Sequence, residues 1–137
     1  MAWQMLTAFE GAHRMVAARV LVVDDNADIR ALVNFVLRRE PEIVLIGEAE
    51  DGGSAVVFVR HHRPDLVVMD LLMPRGGGLD ATRQIKRESP DTKVLVLTSL
   101  TDDETRCSAF VNGADFFLDK REIAARLVPA IQATMSP

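Results

Sequence analysis

The sequence predicts an α/β fold: a single doubly wound (βα)5 domain whose parallel sheet is covered by helices on both faces. Two observations support this prediction. Short apolar runs that read as buried strands alternate five times with stretches of helical periodicity, as expected for a parallel sheet with right-handed crossovers. Polar side chains follow four of these runs, and the carboxyl ends of parallel strands share one edge, where ligands bind in open α/β sheets.

The strands are predicted from runs of apolar and β-branched residues, which are typical of strands buried on both faces. The clearest run is Leu-Val-Val-Met, which follows Pro64-Asp65 and ends abruptly in Asp70. The five predicted strands are residues 19–23, 43–46, 66–69, 93–97 and 115–118.

The helices are predicted from apolar side chains that recur every three or four residues. The first carries a stripe at i, i+3, i+4, i+7 and i+8 and is followed by Pro41, which blocks its continuation. Gly113 is expected to cap the fourth, and Pro129 should bend the last. The five predicted helices are residues 26–39, 52–62, 79–88, 102–112 and 122–134.

Composition narrows the class of protein. The chain has 137 residues, which suggests one domain, and 48% apolar with 26% charged residues is ordinary for a globular protein. A net charge of −4 without a basic cluster argues against nucleic acid or an anionic membrane as the main partner. Cys107 is the single cysteine, so no internal disulfide forms. With no spanning run and no secretory signal, we expect a cytoplasmic protein.

The N-terminal segment stands apart from the predicted domain. We divide the chain into an N-terminal extension, 1–17, and a domain, 18–137. Apolar residues in the extension could line one side of a short helix that docks on the domain or on a second subunit, but the pattern favours a loosely held terminus, and Met15, just before the first strand, is an alternative start. These apolar residues are Trp3, Met5, Leu6 and Phe9.

The polar groups at the strand ends form the candidate site. They are Asp24, Asp25, Asp70, Thr98 and Lys120. Three carboxylates brought together repel one another, and each resists ionisation beside the others. Lys120 can supply one compensating charge, and an all-oxygen carboxylate site suits a divalent ion such as Mg²⁺ or Mn²⁺.

In these stretches the chain resembles the receiver domain of two-component response regulators. The matching segments are VLVVDDNADIR, GEAEDGGSAV, PDLVVMDLLMPRGGGLD, KVLVLTS and GADFFLDK. The resemblance covers about residues 19–133, and the GEAEDG segment is similar to receivers of the NarL/FixJ group. It implies a flavodoxin-like, five-stranded parallel sheet in the order 2-1-3-4-5.

The resemblance also implies a role for each matching residue. Asp70 would be the phosphate acceptor, Asp25 and Asp70 would bind Mg²⁺, and Asp24 would act mainly through water. The backbone carbonyl of Leu72 would complete the metal ligands. Thr98 would bond a phosphoryl oxygen in the active state and Lys120 would pair with the phosphoryl group. Phe117 would turn inward when Thr98 moves.

The implied function is a signalling switch rather than an enzyme, with at most self-phosphorylation and self-dephosphorylation activity. The phosphate would come from a sensor histidine kinase or a histidine phosphotransfer protein, and a downstream protein would bind the face formed by residues 102–134. A homodimer is compatible with the sequence. No output domain follows the receiver, so the chain either acts through protein contacts or is part of a longer regulator.

Two competing functions and one departure from the family pattern remain. A haloacid dehalogenase-like phosphotransferase also uses an Asp nucleophile, but it expects a second Asp where this chain has Leu72. A phosphorylation-independent interaction domain would not need the intact acidic set. The family often has Pro after the lysine, and Arg121 in that position leaves the shape of the following loop open.

Overall fold

The computed structural model describes residues 17–74 and 77–136, and within them strands and helices alternate as predicted. The strands are β1 (Ala18–Val23), β2 (Ile43–Ala49), β3 (Leu66–Met69), β4 (Lys93–Thr98) and β5 (Phe116–Asp119). The helices are α1 (Ala27–Leu37), α2 (Gly52–His62), α3 (Gly78–Glu88), α4 (Asp103–Val111) and α5 (Ile123–Met135), with a 3₁₀ turn over Lys120–Glu122.

All strand pairs are parallel, and the order of the sheet is β2-β1-β3-β4-β5. The α/β prediction and the 2-1-3-4-5 order implied by the resemblance are therefore confirmed. Val23 is paired with Met69, and Thr98 with Asp119. The residues that follow these pairs emerge at one edge of the sheet, which is where the candidate site lies.

Each face of the sheet buries its own apolar core. Leu21, Val67 and Val96 contribute to the core on one face, whereas Val20 and Val68 contribute to the core on the other. All five side chains are at most 1% exposed. This two-sided burial explains why the strands read as continuous apolar runs, and it fixes the register, because a slip by one residue would exchange the two faces.

The boundaries differ from the predictions by a few residues. The largest difference is in β2, which runs three residues beyond the predicted 43–46 because Gly47 to Ala49 pair with the second half of β1 after a register shift. A Cβ atom at Gly47 would collide with the ring of Phe58 on α2, which would then have to shift. Helix α5 continues through Pro129 to Met135.

Most of the predicted N-terminal extension, residues 1–16, lies outside the described residues, so the division at 17/18 stays a prediction. No helix in the described parts of the chain is both long enough and apolar enough to cross a bilayer.

Candidate functional site

Asp24 and Asp70 meet because β1 and β3 are neighbours in the sheet. Each directly follows one member of the Val23–Met69 pair, and the Asp70 amide donates a hydrogen bond of 2.9 Å to the Val23 carbonyl. Both residues are 2% exposed. The sheet therefore holds two carboxylates side by side, largely out of water.

The Asp24 side chain is fixed by the turn that opens α1. Its Oδ1 accepts a hydrogen bond of 2.9 Å from the Asn26 amide, and the Asn26 side chain in turn caps the helix. The Asp24 carbonyl accepts a 2.7 Å hydrogen bond from Arg30 Nη1. The remaining oxygen, Oδ2, lies 2.8 Å from Lys120 Nζ. Asp24 thus has partners for its carboxylate and for its backbone carbonyl.

The Asp70 side chain is less completely satisfied. Its Oδ1 accepts a 3.3 Å hydrogen bond from the Leu72 amide. Its Oδ2 lies 3.3 Å from Lys120 Nζ, a distance typical of an ion pair. This oxygen is buried and has no hydrogen-bond partner among the described residues. Such an atom in a native site calls for a functional explanation.

The electrostatics of the pocket follow from burial and from its charges. Burial raises the pKa of Asp70, and the charge of Asp24 raises it further, against the opposing effect of Lys120. Burial by itself would lower the pKa of Lys120, but its hydrogen bond to Asp24 and the charges of Asp70 and Asp24 outweigh burial and raise it. Lys120 therefore remains a cation, yet one cation does not fully compensate the carboxylates.

The acidic group fits a divalent cation. One carboxylate oxygen each from Asp24, Asp25 and Asp70 lies within 4.8 Å of the others, with Asp25 exposed and the other two buried. Three carboxylates face one ammonium, the donors are all oxygen, and one buried oxygen lacks a hydrogen bond. These are the ligands that Mg²⁺ prefers. The predicted acidic cluster is confirmed, and it is compatible with Mg²⁺.

Thr98 is the last residue of β4, and Phe117 lies in the neighbouring strand β5, paired with Val96. Thr98 is fully buried, and its Oγ1 accepts a 3.1 Å hydrogen bond from the Leu100 amide. Phe117 is 9% exposed and packs in the core, with its ring centroid 6.5 Å from that of Phe110. The Arg106 guanidinium lies over the Phe117 ring at 5.6 Å. The Phe117 ring is therefore largely buried in this structure, and its movement with Thr98 stays a prediction.

Two residues that support the site, Asn26 and Arg30, were not predicted, and a third, Gly78, was not singled out from its run of glycines. Asn26 could have been recognised as a helix-capping residue at the first predicted helix. Arg30, which binds the Asp24 carbonyl, carries no comparable sequence signal. Gly78 belongs to a run of glycines, but only the structure shows that it packs against the backbone of Asp70, where a Cβ atom would overlap the Asp70 carbonyl.

Comparison with known proteins points to one family. A family model described as the response regulator receiver domain matches residues 20–132. The transcriptional regulatory protein LiaR of Bacillus subtilis is 40% identical over 115 residues, which are 84% of this chain and 54% of LiaR. The chain thus spans about half the length of the curated relatives it matches.

Solved structures agree with the sequence comparison. A LuxR-family two-component response regulator from Aurantimonas sp. SI85-9A1 superposes with a TM-score of 0.81 at 35% identity, covering 85% of this chain and 84% of that one. The response regulator domain of Thermotoga maritima CheB gives a TM-score of 0.81 at 30% identity, covering 88% of this chain and 99% of that one. The resemblance stated from the sequence is confirmed.

Proposed function

We propose that this chain, which belongs to the response regulator receiver domain family of two-component signalling, accepts a phosphoryl group on Asp70. The observation that carries the proposal is the buried Asp70 Oδ2, which lies 3.3 Å from Lys120 Nζ and has no hydrogen bond within the described ranges. A carboxylate oxygen of this kind keeps a lone pair available as a nucleophile. Family membership does not favour the haloacid dehalogenase-like alternative.

The donor would be a phosphohistidine on a sensor histidine kinase or on a histidine phosphotransfer protein. An Asp70 oxygen forms the new P–O bond while the P–N bond of the phosphohistidine breaks, and the product is an aspartyl phosphate. Lys120, whose Nζ lies 2.8 Å from Asp24 Oδ2 and 3.3 Å from Asp70 Oδ2, would offer a cation to the transferred group. Because such transfers depend mainly on position and charge neutralisation, a rigid strand end is a suitable place for the acceptor.

Asp25 and Asp70 would bind Mg²⁺ directly, Asp24 would act mainly through water, and the Leu72 carbonyl would complete the protein ligands. The short distances among the three carboxylates support this set. A bound Mg²⁺ would neutralise charge on the phosphoryl oxygens. Without the ion, the three carboxylates would repel the incoming phosphoryl group. The protein's own contribution is to hold these carboxylates where they can bind the ion.

Phosphorylation would alter the face formed by residues 102–134. A phosphoryl group adds about −1.5 to −2 charges, and the Thr98 hydroxyl would exchange its bond to the Leu100 amide for one to a phosphoryl oxygen. Phe117 is already buried, so the movement of Thr98 would change how its ring packs against Phe110 and Arg106. A groove of about 400 Å³ on this face would change with it.

A downstream protein would bind the 102–134 face, while nucleic acid and membrane would not be bound by this chain directly, and a homodimer is compatible with the face. We propose a cytoplasmic signalling domain whose own activity is at most self-phosphorylation and self-dephosphorylation.

The proposal is tested by the mass of the protein after incubation with Mg²⁺ and acetyl phosphate. We expect one added phosphoryl group, no addition in Asp70→Asn, and normal addition in the matched control Asp91→Asn, since Asp91 is exposed in the turn between α3 and β4. Labelling of Asp70→Asn at one stoichiometric site would overturn the assignment of Asp70.

A further inference from the structure

Asp119 and Arg121, the residues on either side of Lys120, are hydrogen-bonded to each other. Asp119 Oδ1 accepts a 2.8 Å hydrogen bond from the Arg121 amide, and Asp119 Oδ2 accepts hydrogen bonds of 2.9 Å from Arg121 Nε and 2.6 Å from Arg121 Nη2. We call this pair the Asp119–Arg121 clip. It closes around Lys120, which is the first residue of the 3₁₀ turn leading into α5.

The clip connects Lys120 to both sides of the site. Asp119 is paired in register with Thr98 on β4, so its backbone is fixed relative to the second residue expected to contact a phosphoryl group. On the other side, the turn passes directly into α5, whose first residue, Ile123, is 1% exposed. The Lys120 side chain spans from this turn to Asp24 and Asp70. Its stem is flexible, so the position of its backbone determines where the ammonium can reach.

An ion pair at a protein surface usually contributes little, and the Arg121 side chain is 83% exposed. Three features distinguish this pair. The Asp119 side chain is only 14% exposed, its carboxylate accepts three hydrogen bonds, and one of these comes from a backbone amide. The side-chain hydrogen bond from Arg121 also lowers the pKa of Asp119, so the carboxylate remains ionised.

The clip also gives a physical role to the departure from the family pattern. A proline after the lysine would restrict the backbone covalently, but it has no N–H group. In this chain the Arg121 amide is one of the three donors of the clip. In this chain, hydrogen bonds between Asp119 and Arg121 therefore restrict the turn that a proline ring would restrict in other members of the family.

We propose that Asp119 and Arg121 are positioning residues for Lys120, holding the turn from which its ammonium reaches the phosphoryl group. The inference rests on the proposed function, because it assigns a role to residues that act on the phosphoryl-binding lysine. In the described part of the chain, neither residue forms a hydrogen bond or an ion pair with Asp70, so we expect their effect to pass through Lys120.

The test is the affinity for beryllofluoride, a phosphoryl analogue, measured at saturating Mg²⁺, together with the affinity for Mg²⁺ alone. By analogy with the loss of one charge-assisted hydrogen bond, we expect beryllofluoride to bind about tenfold more weakly to Asp119→Ala. Arg121→Ala keeps the amide donor, so a smaller loss of about threefold is expected. Affinity for Mg²⁺ should not fall, because Lys120 is not a metal ligand and its ammonium competes with the ion for Asp24 and Asp70.

Two controls separate positioning from general damage. Arg83→Ala removes an exposed arginine of α3, outside the 102–134 face, which pairs with Asp80 at 3.1 Å, and should leave beryllofluoride affinity unchanged. In a Lys120→Ala background, Asp119→Ala should have no further effect, because a residue that acts through Lys120 has nothing left to position.

Equal beryllofluoride affinities in the parent, Asp119→Ala and Arg121→Ala would overturn the inference, as would an undiminished effect of Asp119→Ala in the Lys120→Ala background. A parallel fall in Mg²⁺ affinity would also overturn it, because that would indicate distortion of the whole pocket. Failure of the proposed function is a different result, in which the parent itself is not labelled at Asp70.

Discussion

The packing of Gly78 against Asp70 gives the sharpest structural prediction. A Cβ atom at Gly78 would overlap the Asp70 carbonyl oxygen and would lie 2.9 Å from both the Asp70 carbonyl carbon and the Leu71 Cα. All three are backbone atoms of the segment that carries the proposed phosphate acceptor. No side-chain rotation can relieve the contact, so Gly78→Ala must move either the start of α3 or the Asp70 backbone.

The magnitude follows from the cost of overpacking. Forced contacts of this kind destabilise a protein by about 1–3 kcal/mol. Alanine recovers part of this by its better helix propensity, worth less than about 1 kcal/mol. We therefore expect Gly78→Ala to lower the free energy of unfolding by about 1–2 kcal/mol, and the melting temperature by about 4–8 °C for a domain of this size.

The matched control is Gly53→Ala, also in the first turn of a helix. The nearest contact of its Cβ atom would be an ordinary 3.6 Å to an Asp51 side-chain oxygen. This variant should be neutral or slightly stabilised, by about 0.5 kcal/mol. Urea unfolding gives the stabilities, and the rate of labelling by acetyl phosphate reports the position of Asp70, so Gly78→Ala should also be labelled more slowly. If Gly78→Ala is as stable as Gly53→Ala and is labelled at the parental rate, the reasoning about this close approach is wrong.

Four further predictions concern the metal, the acceptor, the phosphate lifetime and the switch. Mg²⁺ at ten times its dissociation constant should stabilise the protein by about 1.4 kcal/mol, or about 5 °C, and Asp25→Ala should reduce the shift; a melting temperature indifferent to Mg²⁺ contradicts the metal site. Since the folded-state pKa of Asp70 is raised, the stability associated with its protonated form is lost as pH rises through that pKa. Metal-free Asp70→Asn should therefore gain stability relative to the parent from about pH 4 upward, and urea unfolding without such a gain would refute this. In receivers, the side chains two residues after the acceptor Asp and two after the Thr flank the path of the hydrolytic water; here these are Leu72 and Leu100, 52% and 37% exposed. Neither can orient water, so phosphate loss should be slow, and Leu72→Asn and Leu100→Gln should each speed decay by about 2- to 10-fold, the equivalent of one hydrogen bond; equal decay rates would show that these leucines do not set the lifetime. Beryllofluoride should change amide exchange on the 102–134 face, and changes confined to the acidic pocket would exclude the switch.

The sequence alone was sufficient to predict the α/β class and most of the elements. Hydrophobic burial is non-directional, so strands covered on both faces are visible as runs such as Leu-Val-Val-Met whatever their partners are. The alternation of strands with helices then predicted a parallel sheet. In a parallel sheet the carboxyl ends of the strands share one edge, so Asp24, Asp70 and Thr98 were expected to lie together there. The order of the strands in the sheet could not be predicted from periodicity, because periodicity does not encode which strands are neighbours. That order was predicted from the resemblance to a family.

Only the tertiary structure decided the contacts of the site, because these depend on ångström-scale distances between residues far apart in the sequence. It showed that Lys120 bridges Asp24 and Asp70 while leaving one Asp70 oxygen without a hydrogen bond in the described part of the chain. The structure also showed which glycine of the run packs closely against the backbone of Asp70. This glycine is Gly78, and the contact depends on how two separate backbone segments are placed. The Asp119–Arg121 clip is local in sequence, yet it depends on a 3₁₀ turn that residue types alone do not specify.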